Sequence, residues 1–230
     1  MNKRLKTTIV LLFLTAALNA HALDITGREI DVLTGAEYTR GFGWEGELSV
    51  AGAVRLGGQY ALKGGLSAGR AEGVTEIRAF AAASAGLFTN APVFVELSYK
   101  YGVLVEYEAG AHSILPVISY SGRRAGVSAG VNFRFTSFFA GEPQFESILS
   151  FNAYFNFINR ETLLVAISCG NFGDFYGGNM GAYSLKLNTA VRVNARWRIT
   201  NEIELLQSGG DGLSTVFYGF AFRGGAKVSW

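Results

Sequence analysis

Cysteine and histidine are both scarce in this 230-residue chain, and each shortage excludes a class of protein. The single cysteine, Cys169, leaves no partner for the intramolecular disulfides that stabilise many small secreted domains. Only one histidine, His112, lies beyond residue 22, and together with one cysteine it cannot build a zinc site of the His/Cys type. A net charge of +2 argues against a nucleic-acid binder. We therefore predict no metal, no other cofactor and no nucleic-acid partner.

Long apolar runs are also few, and the clearest one lies at the N-terminus. Residues Met1–Ala22 combine a basic start, an apolar run over Ile9–Leu18 and a small-x-small site ending at Ala22. These are the three parts of a secretory signal peptide, and the run is shorter than the roughly 20 residues of a membrane-spanning helix. The sequence therefore predicts a cleaved signal peptide over residues 1–22 and an exported domain over residues 23–230.

A second uncharged stretch, Ala79–Val95, is interrupted by Asn90 and Pro92 and divides better into two strands and a turn. Only helices and closed barrels satisfy the backbone hydrogen bonds inside a lipid bilayer. If the exported chain enters a membrane, we therefore expect it to do so as a closed β-barrel.

Alternation of apolar and polar residues is the dominant pattern after residue 22. It is clearest over Val93–Tyr107, where every second residue is apolar or aromatic. Fifteen residues at about 3.3 Å each span roughly 50 Å, far more than a strand of a typical globular domain. Similar segments run from Ile30–Tyr38 to Val216–Trp230. They predict an all-β, single antiparallel up-and-down transmembrane barrel with twelve strands; eight or ten longer strands are the alternatives.

The connections fit that division. Tight turns are predicted after the even-numbered strands, as at Gly57-Gly58, and longer loops after the odd-numbered ones, as at Arg40–Glu45 and Ser137–Pro143. The connection after the fifth strand, Glu108–His112, is short and does not show this difference in length.

With its apparent signal peptide, its amphipathic strands and a last strand ending on Trp230, the chain resembles bacterial outer-membrane β-barrel proteins. The resemblance covers the whole chain but points to no single family. It implies a place in outer-membrane lipid and insertion by the barrel-assembly machinery, which reads a C-terminal aromatic strand. A secreted β-sandwich would also alternate, but the strand lengths and the lack of disulfides disfavour it.

Candidate enzyme motifs are weak, and we predict that the protein is not an enzyme. Gly41–Gly46 matches G-x-G-x-x-G, but an alternating segment follows it rather than the helix that a dinucleotide site needs. His112 and Ser113 are adjacent, so in a strand they would lie on opposite faces, whereas the outer-membrane phospholipase family sets its His and Ser two apart. We interpret His112 as a polar loop residue. A lipid-modifying enzyme remains a minor alternative.

Tyrosine and tryptophan favour the membrane–water interface. In the twelve-strand assignment these residues fall near the two ends of the strands. The predicted interface aromatics are Tyr38, Tyr60, Tyr107, Tyr120, Trp197, Tyr218 and Trp230.

Charged side chains lie on the other face of the strands. A charge facing lipid costs up to about 2–4 kcal/mol near the midplane, so these residues are predicted to face the lumen. The lumen-facing candidates are Arg55, Lys63, Arg78, Glu96, Lys100, Arg134, Lys186, Arg192, Arg198, Glu202, Glu204, Arg223 and Lys227.

Twelve strands should enclose a narrow polar lumen. We therefore expect a channel for ions or small polar solutes. Its basic group on the last three strands (Lys186, Arg192, Arg198, Arg223 and Lys227) could select anions. A closed structural or surface-interaction barrel without conductance is the alternative, in which these cations pair with nearby glutamates and fill the lumen. The sequence specifies neither the solute nor the oligomeric state.

Overall fold

The computed structural model describes residues 25–71, 73–139, 141–171, 182–209 and 215–230, and the predicted signal peptide lies outside them. Within these residues twelve antiparallel strands form one closed barrel, which confirms the predicted fold. No helix in the described part of the chain is long and apolar enough to span a membrane.

The strands are β1 (Ile25–Thr39), β2 (Gly43–Leu56), β3 (Tyr60–Ala71), β4 (Val74–Gly86), β5 (Val93–Leu104), β6 (Ala109–Ser121), β7 (Ala125–Phe138), β8 (Gln144–Asn159), β9 (Leu163–Asn171), β10 (Ala182–Arg192), β11 (Trp197–Gly209) and β12 (Thr215–Ser229).

Each strand pairs with its neighbours in the sequence, and β12 pairs with β1 to close the ring. The closing register runs from Glu29 opposite Ser229 to Thr39 opposite Gly219. Beyond it, the backbone N–H of Arg28 donates to the Trp230 carbonyl at 2.9 Å, and the Trp230 N–H donates back to Arg28 at 3.0 Å. The described strands therefore leave no open sheet edge, as the interior of a bilayer requires.

The barrel has two different ends. One, which we call the terminal rim, carries Arg28, Trp230 and the short turns after the even-numbered strands. The turn between β2 and β3 is typical: Gly57 and Gly58 both have positive φ, which suits glycine in a tight hairpin. The other end, the loop rim, carries the connections after the odd-numbered strands. The first of these is shorter than predicted, because β2 begins at Gly43 and Gly43 to Glu45 belong to it.

The two faces of the wall differ in chemistry. Outward-facing residues such as Leu66, Leu97 and Ile118 leave more than half of their surface exposed. Most inward-facing residues are small, polar or charged, apart from a few larger apolar side chains such as Leu104 and Phe138. Large exposed apolar side chains around a closed barrel form a surface suited to lipid rather than to water.

The region between β5 and β6 corrects two predictions. The fifth strand ends at Leu104 rather than Tyr107, because Val105–Glu108 form a turn in which Glu108 has a positive φ of 46°. The apolar alternation therefore continues into residues that are no longer paired in the ladder. The predicted loop Glu108–His112 is also wrong, since β6 begins at Ala109 and His112 lies within that strand.

Pro116 interrupts the ladder between β6 and β7. Registered pairs stop at Ile114 opposite Phe133 and resume at Val117 opposite Gly130. Proline has no N–H to donate. The Leu115 carbonyl at this place accepts a bond from the Ser98 hydroxyl of β5 at 3.4 Å. This bond joins β6 to β5, on the side away from the gap.

Apolar side chains fill one side of the lumen near the loop rim. Val74, Leu104 and Ala109 are buried there, with Phe138 packed against them. The cavities of the lumen are lined mainly by the remaining strands, β8–β12 and β1–β4.

Candidate channel lumen

A group of ion pairs lies inside the barrel toward the loop rim, and we call it the paired cluster: Arg223 and Lys186 with Glu37, Glu47, Glu202 and Glu204. The Arg223 guanidinium contacts all four carboxylates, among them Glu202 at 2.8 Å and Glu37 at 3.5 Å. Lys186 Nζ lies 3.3 Å from Glu202 and 3.2 Å from Glu204. These two cations are therefore saturated with carboxylates.

The strand register produces this pairing. Lys186 on β10 lies opposite Glu204 on β11, and Glu202 on β11 lies opposite Arg223 on β12. Side chains directly opposite each other on one face have Cβ atoms about 4.5–5.5 Å apart, and opposite charges there attract. Cation and carboxylate consequently alternate from strand to strand at this level.

A cavity of about 270 Å³ adjoins the paired cluster. Its lining also includes Ser67, Arg70, Glu76 and Arg78, on β3 and β4. Arg78 is paired with Glu76 at 2.5 Å, and Arg70 lies 3.7 Å from Glu45. Because the lining strands run from β10 through β1 to β4, more than half of the ring surrounds this space, which identifies it as part of the lumen.

A middle cavity of about 380 Å³ follows toward the terminal rim. Its polar lining residues include Asp31, Asn156, Asn188 and Thr200. Glu202 lines both this cavity and the 270 Å³ cavity beside the paired cluster. Leu33, Leu164, Ala166 and Ala190 also line it, so at mid-height amides and hydroxyls lie among apolar side chains, in place of the dense charges of the paired cluster.

The terminal rim surrounds a third cavity, of about 500 Å³, which we call the basic mouth. Among the described residues that line it there is one side-chain carboxylate, on Glu29, and the terminal carboxylate of Trp230, against six cationic side chains. The cations are Arg28, Arg55, Arg192, Arg196, Arg198 and Lys227. The five basic residues predicted to act as one group are thus divided: Lys186 and Arg223 lie in the paired cluster, and Arg192, Arg198 and Lys227 at the mouth.

The remaining predicted lumen residues lie in other parts of the wall. Lys63 and Glu96 form an ion pair of 2.7 Å between β3 and β5. Arg134 is buried, and its Nε donates to Glu146 at 2.7 Å. Lys100 lies on β5, in register with Ser113 of β6 and away from the basic mouth.

Exposed aromatic residues lie at both rims. Tyr60, Tyr120, Trp197 and Trp230 belong to the terminal rim and keep about half of their surface exposed. At the loop rim Tyr38 packs against the rings of Trp44 and Phe220, with centroids 5.7 Å and 5.4 Å away. Tyr107 is exposed there too, in the turn after β5. The Tyr218 side chain lies outside the described part of the structure.

The geometry around His112 offers no Ser/His pair. Its ring lies with the aromatic residues of the outer face, where Nδ1 is 2.7 Å from the Tyr99 hydroxyl and the ring centroid is 4.8 Å from that of Tyr101. Ser113 is buried and donates its hydroxyl hydrogen to the Asn132 side chain. The two neighbours thus lie on opposite faces of β6, as the alternation of a strand requires.

Sequence reasoning missed several residues of the lumen and rims. Arg28 and Arg196 were not selected, because the first lies on the outward face and the second in a turn, where alternation gives no signal. Glu29 was missed because the predicted first strand started one residue later. Trp44 was assigned to a loop, although it lies in β2 and is 61% exposed.

Comparison with solved structures supports the fold at low sequence identity. No protein-family model matches the sequence, and no curated protein sequence matches it. NanC porin superposes with a TM-score of 0.60 at 8% identity, over 86% of this chain and 98% of that one. KdgM porin superposes with a TM-score of 0.56 at 8% identity, over 88% and 99%.

The translocator domain of the autotransporter NalP from Neisseria meningitidis gives a TM-score of 0.62 at 14% identity, over 96% of this chain and 97% of that one. These proteins differ in their described roles, so the likeness concerns architecture. The chain has the twelve-stranded fold of bacterial outer-membrane β-barrels.

Proposed function

We propose that this protein is a narrow channel of the bacterial outer membrane for ions and small polar solutes. The observation that carries the proposal is the series of cavities, of about 270, 380 and 500 Å³, at three successive levels of the lumen, each with polar or charged side chains in its lining. A barrel whose function was purely structural would gain stability by filling this space with side chains. The likeness to structures named as porins supports the same role.

We further propose that the channel prefers anions, and that this preference arises at the basic mouth. Long-range attraction by uncompensated cations raises the local concentration of anions at an entrance. The paired cluster contributes little to it, because four carboxylates surround its two cations. The anion preference therefore depends on the excess of cations at the mouth: Arg198 at its centre, with Arg192 and Lys227 each beside a single glutamate.

Conductance of the refolded protein in a planar bilayer tests the channel. We expect discrete current steps that Ser67→Trp reduces strongly, because Ser67 lines the cavity beside the paired cluster. Leu66→Trp is the matched control: it makes the same change one residue away, on the lipid-facing side, where Leu66 is 64% exposed.

Folded protein without current steps would overturn the channel and favour the closed structural barrel. Equal conductance in the two tryptophan variants would also count against a path through this lumen. The reversal potential across a salt gradient tests the anion preference, which Arg198→Ala should reduce.

A further inference from the structure

Three cations stand side by side at the basic mouth. In the strand register Arg192 of β10 lies opposite Arg198 of β11, and Arg198 lies opposite Lys227 of β12. The next lumen-facing residue in this row is Asp31 of β1, opposite Lys227. Like charges directly opposite each other on a sheet repel and destabilise the pairing. The repulsion within this row of three is reduced where a carboxylate lies beside it, as Asp31 does beside Lys227.

The protein supplies only part of that compensation. Glu29 lies 3.0 Å from Lys227 and 3.7 Å from Arg55, and Glu161 pairs with Arg192. Arg198, the middle cation, makes no ion pair or side-chain hydrogen bond with the described residues. Negative charge is therefore missing at the centre of the row.

The arginine at the edge of the row is held in place by the backbone. Arg192 donates from Nε to the Asn194 carbonyl at 3.0 Å and from Nη2 to the Ala195 carbonyl at 3.3 Å. Both carbonyls belong to the turn between β10 and β11, so this side chain forms part of the wall. Such prior positioning lowers the entropy cost of binding a ligand.

The cavity is large enough for a small molecule and has the donors for it. Two strand spacings, about 10 Å, separate the strands that carry Arg192 and Lys227. Guanidinium groups bind phosphate and carboxylate oxygens with paired hydrogen bonds, and lysine adds a point charge. Anionic groups carried at two positions of one molecule would reach both ends of the row.

We propose that the basic mouth is a binding site for a soluble anion carrying two or more phosphate or carboxylate groups, centred on Arg198. The proposal extends the proposed channel function, since a permeating anion would meet this site at the terminal rim. Binding itself needs no open channel, so the two ideas can fail separately.

Calorimetric titration of the folded protein, in neutral detergent at fixed ionic strength, tests the site with inorganic pyrophosphate as the probe. We expect saturable binding that is about tenfold weaker for inorganic monophosphate. The double variant Arg198→Gln/Lys227→Gln should lose the binding. Arg124→Gln is the matched control, because it removes one cation from the same rim on the opposite side of the barrel, between β6 and β7. It should leave the dissociation constant within about twofold.

Absence of pyrophosphate binding, or an equal loss in Arg124→Gln, would overturn the site. A second experiment repeats the pyrophosphate titration in nanodiscs with and without phosphatidylglycerol, to distinguish a soluble anion from a lipid headgroup. If the anionic lipid abolishes pyrophosphate binding, a headgroup occupies the mouth and the assignment to a soluble anion is wrong. If the protein binds pyrophosphate but shows no current steps, the binding site is supported and the channel is rejected. If it shows current steps but does not bind pyrophosphate, the channel is supported and the binding site is rejected.

Discussion

The paired cluster and the basic mouth lie on the same three strands and the same face, yet their electrostatics are opposite. At the level of Lys186 and Arg223, glutamates of β11 stand between the cations, whereas at the mouth the corresponding place on β11 is Arg198. The comparison shows that the balance of charge in this lumen is decided position by position in the strand register. An overall charge of +2 hides an uneven distribution of charge along the lumen.

Removing the central cation of the paired cluster should have the largest effect. Arg223→Met leaves four carboxylates close together, and losing one partner of a mostly buried ionic group costs about 3 kcal/mol. Urea unfolding in lipid vesicles should show the loss. Adding Glu204→Gln to this variant should recover part of the stability, and unchanged stability in Arg223→Met would contradict the paired cluster.

The two rims can be compared through their tryptophans. Trp230→Ala at the terminal rim and Trp44→Ala at the loop rim each remove a half-exposed indole from the predicted interface, at a cost of about 1–2 kcal/mol. Only Trp230→Ala should also slow insertion by the barrel-assembly machinery in proteoliposomes. Equal insertion rates for the two variants would contradict a role of this residue in recognition by that machinery.

Reversing the middle charge of the basic mouth should make it resemble the paired cluster. Arg198→Glu replaces two repulsive neighbours by two attractive ones, so we expect a gain in stability of about 1 kcal/mol. The same change should shift the reversal potential toward cations. A loss of stability would mean that Arg198 has a favourable partner in the folded protein.

The smallest effect concerns a carboxylate outside the membrane-spanning strands. Hydrogen bonds from the Thr75 hydroxyl at 2.6 Å and the Thr75 backbone N–H at 2.5 Å lower the pKa of the Glu106 carboxyl below its ordinary value of 4.5. A lowered pKa in the folded state stabilises the protein above the ordinary value, and this contribution disappears as the pH falls through the lowered one.

Wild-type protein should therefore lose its small stability advantage over Glu106→Gln as the pH falls below about 4.5. Thermal melts at pH 7 and pH 3 measure it, and an advantage at pH 3 as large as that at pH 7 would contradict the assignment. Glu106 is exposed to solvent. The stability contributed by its hydrogen bonds with Thr75 is therefore that of a surface contact, with which the ion pairs inside the lumen can be compared.

The sequence was sufficient to predict the barrel, because the alternation of apolar and polar residues and the spacing of the turns directly indicate strands with one apolar face. It failed at Tyr107 and His112, where alternation continues through a turn and no local signal marks the end of the ladder. It also grouped Lys186 and Arg223 with Arg198, since all three share one face. Which of them meet carboxylates depends on the register, and the residue pattern of a single strand carries no information about its neighbour's register.

The gap in the ladder at Pro116 has a mechanical consequence. A closed barrel resists lateral separation because every strand is bonded on both sides, and the force needed is lowest where pairs are missing. The amide protons of β6 and β7 beside this gap should therefore exchange sooner than those in the continuous parts of the same ladder. The gap lies across the ring from the β1–β12 closure, so this local opening would occur away from the charged side of the lumen.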